Sequence, residues 1–268
     1  MADQIWTEGL GEGPLIALAL HDGHDVRDGV RPFLTVSDED RLREEDPFTA
    51  QWTRMAPSCV IGTRSRFEVD LNRSPESAIY RSPDDAWGLG VWKPDVPNGV
   101  FSDSLAAHGE FYSRMEELIG ERVAEFQKVV LFDLQTYNHR RHGPHRRASP
   151  REHNPQVDVG TYLDERELNV EIIDCFLSRL RAFEFPGGAL DVRENVRFPI
   201  GPFSEWAHRR FPGRICALSI EVKKFFMDEW TGARDEAMTN AIGAALQSTV
   251  SGVLETAAVT PPSAARRG

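Results

Sequence analysis

No stretch of eighteen apolar residues occurs in the 268-residue chain, so the sequence offers no helix fit to span a bilayer. Cysteine is scarce. Cys59, Cys175 and Cys216 are odd in number and scattered, which argues against a disulfide framework and lacks the paired spacing of a zinc knuckle. The opening "MADQIWTEGLGEGP" has neither the basic region nor the apolar core of a secretory leader, and with the unpaired cysteines it sets a cytoplasmic location as the expectation. Positive charge is in short supply. A formal net charge of −11 makes nucleic acid a poor partner, although "NHRRHGPHRRASPREHN" is a local basic patch suited to a small anion or a carboxylate substrate. No repeat and no Pro-, Gly- or Ser-rich linker divides the chain. It reads as one domain over residues 1–258, with 259–268, carrying "PPSAARRG", as a disordered tail without an apolar face.

What is present alternates between strand and helix patterns. "PLIALAL" is apolar on both faces, as a central strand must be. "CVIGTRSRFEVDL" is strand-like, with β-branched and aromatic residues in partial alternation. "VVLFDL" and "ICALSIEV" are further short strands. Helical spacing runs through "DSLAAHGEFYSRMEELIGERVAEF", "ELNVEIIDCFLSRLRAF" and "DEAMTNAIGAALQSTVSGVLETAA". This order predicts a single-domain α/β sandwich with a mixed, mainly parallel central sheet flanked by helices. Ligands of such sheets sit at the carboxyl ends of the strands.

Polar residues gather at those ends. The first strand runs into His21 and His24, an HxxH spacing that fits either a metal pair or a hydrogen-bonded turn. Asp22 and Asp25 beside them are candidates to fix the ring tautomers. The second strand leads to Glu68, Asp70, Asn72 and Arg73. The third leads to Asp133, Gln135, Tyr137, Asn138, His139, Arg140 and Arg141. A late strand carries Glu221, costly inside an apolar run unless it is paired or used. Pairing with Lys223 is the bland alternative for it. Tyr137, Asn138 and Arg140 offer donors for a second carboxylate, or form a surface loop. "EEDPFT" reads as a helix N-terminal turn or as part of the site. The six tryptophans read as packing residues.

"HDG" after the first strand, "VDLNR" after the second, "DL" with a short polar run after the third and the late strand glutamate resemble the N-formylglutamate amidohydrolases. "REEDPFT", "RSRFEVDLNR", "DDAWGL", "YNHRR" and "EVKKFFMDEWTG" look like one subgroup of that family, and the resemblance covers residues 12 to 232. It implies a zinc-carboxypeptidase-like fold and zinc-dependent hydrolysis of an amide in a small carboxylate-bearing N-acyl amino acid or peptide, with no nucleic-acid or membrane partner. It implies that His21 binds Zn²⁺, with His24 where relatives place a glutamate. It further implies that Asn72 and Arg73 grip the substrate carboxylate and that Glu221 handles the proton of the zinc-bound water.

The departure is at the third ligand. Relatives read "DLHS" where this chain reads "DLQT", so Gln135 stands in place of a histidine. A neutral amide is a poor zinc ligand. His139 as the alternative ligand, a carboxylate from Glu44, Glu45 or Asp46, Gln135 itself, and a degenerate member that binds a carboxylate ligand or partner without catalysis all remain open at this point.

Overall fold

A computed structural model of the chain describes residues 4–259. The tail expected to be disordered therefore lies, apart from Val259, outside the described residues. Seven strands form one sheet: β1 (Trp6–Gly9), β2 (Leu15–Ala19), β3 (Ser58–Gly62), β4 (Val129–Tyr137), β5 (Val157–Thr161), β6 (Val192–Glu194) and β7 (Ile215–Lys223), in the spatial order β1-β3-β2-β4-β7-β5-β6. Strand β2 runs parallel to β3 and β4, β4 parallel to β7, and β5 parallel to β6. Pairs β1–β3 and β5–β7 are antiparallel. The helices are α1 (Asp38–Glu44), α2 (Thr49–Trp52), α3 (Asn98–Glu125), α4 (Val170–Ala182), α5 (Pro202–Arg210) and α6 (Glu236–Val259). The sheet is mixed and mainly parallel, as its apolar runs imply.

Alternation along the central strands feeds two cores. Leu15, Ala17, Val130, Phe132, Leu218 and Ile220 pack with Ile172, Phe176 and Leu180 of α4 and with Ile242, Leu246 and Val253 of α6. Ile16, Leu18, Leu131, Ile215 and Ala217 face the other way, onto Phe111, Met115 and Leu118 of α3 and Phe203 and Ala207 of α5. Each fully buried Leu, Ile or Phe contributes about 1.5–3 kcal/mol, which ties both helix layers to the sheet. None of the helices among the described residues is long and apolar enough to cross a membrane.

The second face changes character along the strands. On β4, Val129 and Leu131 give way to Asp133 and Gln135; on β7, Ile215 and Ala217 give way to Ser219 and Glu221. The register sets Asp133 beside Ser219 and Gln135 beside Glu221. The polar halves lie at the carboxyl ends. Chain order also reverses there, because β3 lies on one side of β2 and the next strand, β4, on the other. That is the switch point at which open α/β sheets form a ligand crevice.

One expectation needs correction. "CVIGTRSRFEVDL" is not one strand: β3 ends at Gly62, and Phe67–Leu71 is loop. Partial alternation there reflects a loop with both apolar and ion-paired side chains, as in Arg66–Asp70 at 2.9 Å. "EEDPFT" links two helices, from Glu44 at the end of α1 to Thr49 at the start of α2, and so leads into a helix as its pattern suggests. The turn after β2 has its own steric rule. A Cβ on Gly23 would lie 2.2 Å from the carbonyl carbon of Thr63 and 2.6 Å from the nitrogen of Arg64. Gly23→Ala is therefore expected to destabilise the protein by about 1–3 kcal/mol through overpacking. Urea unfolding measures it, and an unchanged midpoint would refute this role for the glycine.

Candidate active site

A cleft of about 360 Å³ opens over the carboxyl ends of β2, β4 and β7. Its floor is built around His21, the second residue beyond the end of β2 and 1% exposed. The ring bridges buried carboxylates: Nε2 lies 2.6 Å from Asp70 Oδ1 and Nδ1 lies 3.2 Å from Asp46 Oδ2. Burial and Arg66 both work against a charged imidazole, but Asp70 and Asp46 outweigh them, and the His21 pKa is raised. Asp70 and Asp46 are held below the ordinary carboxyl range although burial pushes each upward; His21 and Arg66 overcome it for Asp70, and His21 with Lys224 for Asp46. Asp46 also accepts from Thr136 Oγ1 at 2.6 Å.

Gln135 occupies the place its position in the sequence predicts. Its Oε1 is 3.0 Å from His21 Nδ1, and its Nε2 donates to Asp133 Oδ1 at 2.8 Å. Beside it on β7 stands Glu221, partly open to the cleft. No hydrogen-bond or ion-pair partner meets its carboxyl among the described residues, and Lys223 instead donates to the carbonyl of Asn154 at 2.9 Å. Burial, then the charges of Asp46 and Asp133, push the Glu221 pKa well above the ordinary value. The same causes favour its protonated form over the carboxylate.

Cations form the upper wall. Arg66 donates to Asp70 Oδ2 at 2.9 Å and to the Tyr80 hydroxyl at 2.7 Å. Arg73 lines the cleft with Nε 3.5 Å from Asp70 Oδ2, Nη2 bonded to the Asp85 carbonyl at 3.0 Å and its guanidinium 4.4 Å over the Tyr80 ring. Asn72, also lining the cleft, accepts from the Phe203 amide at 2.8 Å and so joins the loop after β3 to the start of α5. The opposite wall is residues 198–202. Asp158, buried on β5, anchors the segment leading into it by accepting from the backbone nitrogens of Val196, Arg197 and Phe198 at 3.0, 2.7 and 2.8 Å.

Several predicted residues lie elsewhere. His24 does not join His21 in the cleft: its side chain is 40% exposed, and Nδ1 pairs with Glu45 at 2.5 Å, because the turn at Gly23 carries it toward the end of α1. Asp22 caps α2 through the Ala50 amide at 2.9 Å and orients neither ring. His139 is no third ligand; it pairs with Glu229 at 2.6 Å outside the cleft. The Tyr137 ring lines the cleft, but its hydroxyl is taken by the Pro155 carbonyl. Asn138 lines the cleft while donating to the Arg43 carbonyl at 2.9 Å. Arg140 points to solvent, its amide bound to Glu229, and Arg141 is the arginine that reaches the cleft. Beyond the end of β4 no strand alternation exists to tell those two apart. The alternation in "RSRFEVD" offers Arg66 as part of an ion-pair ladder supporting the site or of a substrate-facing set, and the structure places it in the cleft; sequence reasoning missed Lys224, and it took Trp87 for packing although that indole lines the cleft and is 41% exposed. The available signal was the "DDAWGL" turn, where a tryptophan directly precedes a glycine.

The donor set does not fit a zinc site. Among the described residues, no group of three or more His, Cys, Asp or Glu is placed to hold one ion. The atoms that converge are His21 Nδ1, Asp46 Oδ2 and Gln135 Oε1: one imidazole, one carboxylate and an amide oxygen, where zinc takes three or four strong ligands. Lys224 and Arg66 already place positive charge beside Asp46.

The comparisons with known proteins agree with this architecture. No curated protein matches the chain. The structure of N-formylglutamate amidohydrolase from Ralstonia eutropha JMP134 is similar with a TM-score of 0.70 at 18% identity, over 96% of this chain and 98% of that one. The structure of gene product Atu2144 from Agrobacterium tumefaciens is similar with a TM-score of 0.67 at 19% identity, over 95% and 96%. At such identities the likeness establishes the fold. The profile of the family described as N-formylglutamate amidohydrolase matches residues 13–227, most of the length, and the chain belongs to that family.

Proposed function

We propose that the cleft binds an N-acyl amino acid of the N-formylglutamate type by its carboxylate and hydrolyses its amide bond. The observation that carries this reading is Glu221, a carboxyl that no cation pairs among the described residues, facing a cleft whose upper wall presents Arg73. Family membership supports the reaction class. Arg73, with Asn72 beside it, receives the substrate carboxylate and fixes the amide over the floor. His21 and Lys224, both lining the cleft, are the groups placed to favour the negative charge that develops on the amide oxygen. A water molecule adds to the acyl carbon and the C–N bond breaks; Glu221, whose raised pKa favours its protonated form, gives its proton to the departing nitrogen and takes one back from the added water. No step is routed through a metal.

Gln135 favours a second reading, binding of the same carboxylate ligand without turnover. One experiment separates the two. Purified protein is incubated with formyl-, acetyl- and succinyl-amino acids, with and without added zinc, and release of free amine is followed. Amine release supports the hydrolase, and zinc-stimulated release would establish zinc dependence. Calorimetric binding without release supports the second reading; neither binding nor release overturns both. Arg73→Lys keeps the charge and loses the two-pronged guanidinium, so it is expected to weaken kcat/KM by about 1–3 kcal/mol. Unaltered kinetics in that variant would remove Arg73 from the substrate site.

A further inference from the structure

Trp87 combines three properties rarely found together. It is a bulky residue in the left-handed backbone region, with φ 54° and ψ 27°. Such a conformation is strained for a large side chain, and strain of this kind gathers at functional sites. It is 41% exposed, whereas the rings that brace it, Tyr80 edge-on and Phe67 tilted, are each 1% exposed. It also lines the cleft beside the proposed carboxylate clamp, since Arg73 bonds the carbonyl of Asp85 two residues earlier.

The charges around the indole are already largely matched. Arg66 is paired with Asp70 at 2.9 Å, and Arg141 with Glu44 at 3.3 Å. Arg73 shares Asp70 at 3.5 Å. Each guanidinium near the indole thus already shares a carboxylate, Arg73 at the longest distance, so a second substrate carboxylate beside Trp87 would have to displace Asp70 or Glu44. A glutamate side chain near Trp87 would have to compete with Glu44 for Arg141. An aromatic ring would cover exposed indole and displace water from it. On an N-acyl amino acid the carboxylate and the side chain leave the same carbon, so a carboxylate at Arg73 directs the side chain to this neighbourhood, while the acyl carbonyl lies over His21 and Glu221.

We propose that the cleft prefers N-acyl amino acids with one carboxylate and an aromatic side chain, with Trp87 as the residue that sets this preference. The proposal rests on the hydrolase reading above and narrows its substrate. The test compares N-formyl-L-phenylalanine with N-formyl-L-glutamate on the full chain and on Trp87→Gly, because glycine accepts the left-handed backbone. Both kcat/KM and the dissociation constant are measured, and each result is taken as the phenylalanine-to-glutamate ratio, which cancels any loss of folded protein. The expected ratio is about tenfold or more in favour of phenylalanine, falling by about tenfold in Trp87→Gly. A ratio at or below one in the unaltered protein, or an equal ratio in both proteins, overturns the proposal. If no compound is hydrolysed, the hydrolase reading has failed, and the ratio of dissociation constants still decides the role of Trp87.

Discussion

Glu221→Gln is expected to lower kcat on an N-acyl amino acid by about 10²–10⁴-fold while the chain stays folded. Glutamine keeps the shape of the side chain and its place beside Gln135 on β7 but has no proton to donate. The same substitution has a stability signature with a definite sign. The raised pKa means that the folded protein holds this proton after the unfolded chain has lost it. Its contribution to stability is therefore present at low pH and is lost as pH rises from the ordinary carboxyl value toward the folded one. Asp133, also raised by burial, acts in the same direction. His21, raised by its two carboxylates against burial, adds a loss as pH rises through its own folded value. As pH rises above the ordinary carboxyl range the unaltered protein should therefore lose stability, and Glu221→Gln should lose less of it. Urea midpoints over that rise in pH together with steady-state kinetics check both claims. Full turnover in Glu221→Gln would end the assignment of Glu221 as proton donor, and identical pH slopes would show that its pKa is not raised.

The other large effect is expected from Gln135→His, which should tighten zinc binding by about tenfold or more, about 1.4 kcal/mol at the least. Gln135 Oε1 already lies 3.0 Å from His21 Nδ1, with Asp46 Oδ2 3.2 Å from the same nitrogen. An imidazole there replaces a weak amide donor with a strong one and completes a set of two histidines and a carboxylate. The protein must also release the His21 proton to bind the ion, so zinc affinity should rise with pH in both proteins. The new histidine removes the hydrogen bond from Gln135 Nε2 to Asp133, and a modest drop in thermal stability should accompany the gain in affinity. Competition against a chelator gives the affinities. Tight zinc in the unaltered protein, unimproved by Gln135→His, would show that another set of residues holds the metal and that Gln135 does not limit the cleft floor as a metal site.

Much of this protein is determined by local pattern. The apolar runs of β2, β4 and β7 have to lie between two layers, because their residues are hydrophobic on both faces. The change from Leu131 to Asp133, and from Ala217 to Ser219, is visible in the sequence and marks the end of each strand that borders the site. His21, Gln135 and Glu221 were legible for that reason: each stands at or near the end of a regular element whose register is set by burial. The short "VDLNR" run likewise placed Asn72 and Arg73 at the cleft through family resemblance, although the segment before it proved to be loop.

What the sequence alone left open concerns residues beyond those elements. His24 was separated from His21 by the contact of Gly23 with Thr63, a meeting of two segments forty residues apart. Asp46 reached His21 through a bend between α1 and α2, with Thr136 bonded to its other oxygen. The choice of Arg141 over Arg140, and the turn that presents Trp87, were made by loops without periodicity, where side-chain direction follows from long-range packing and not from residue order. Strand ends can be read because burial repeats every second residue; the loops that close over them have no repeat to read, and only the tertiary structure determines which of their side chains enter the cleft.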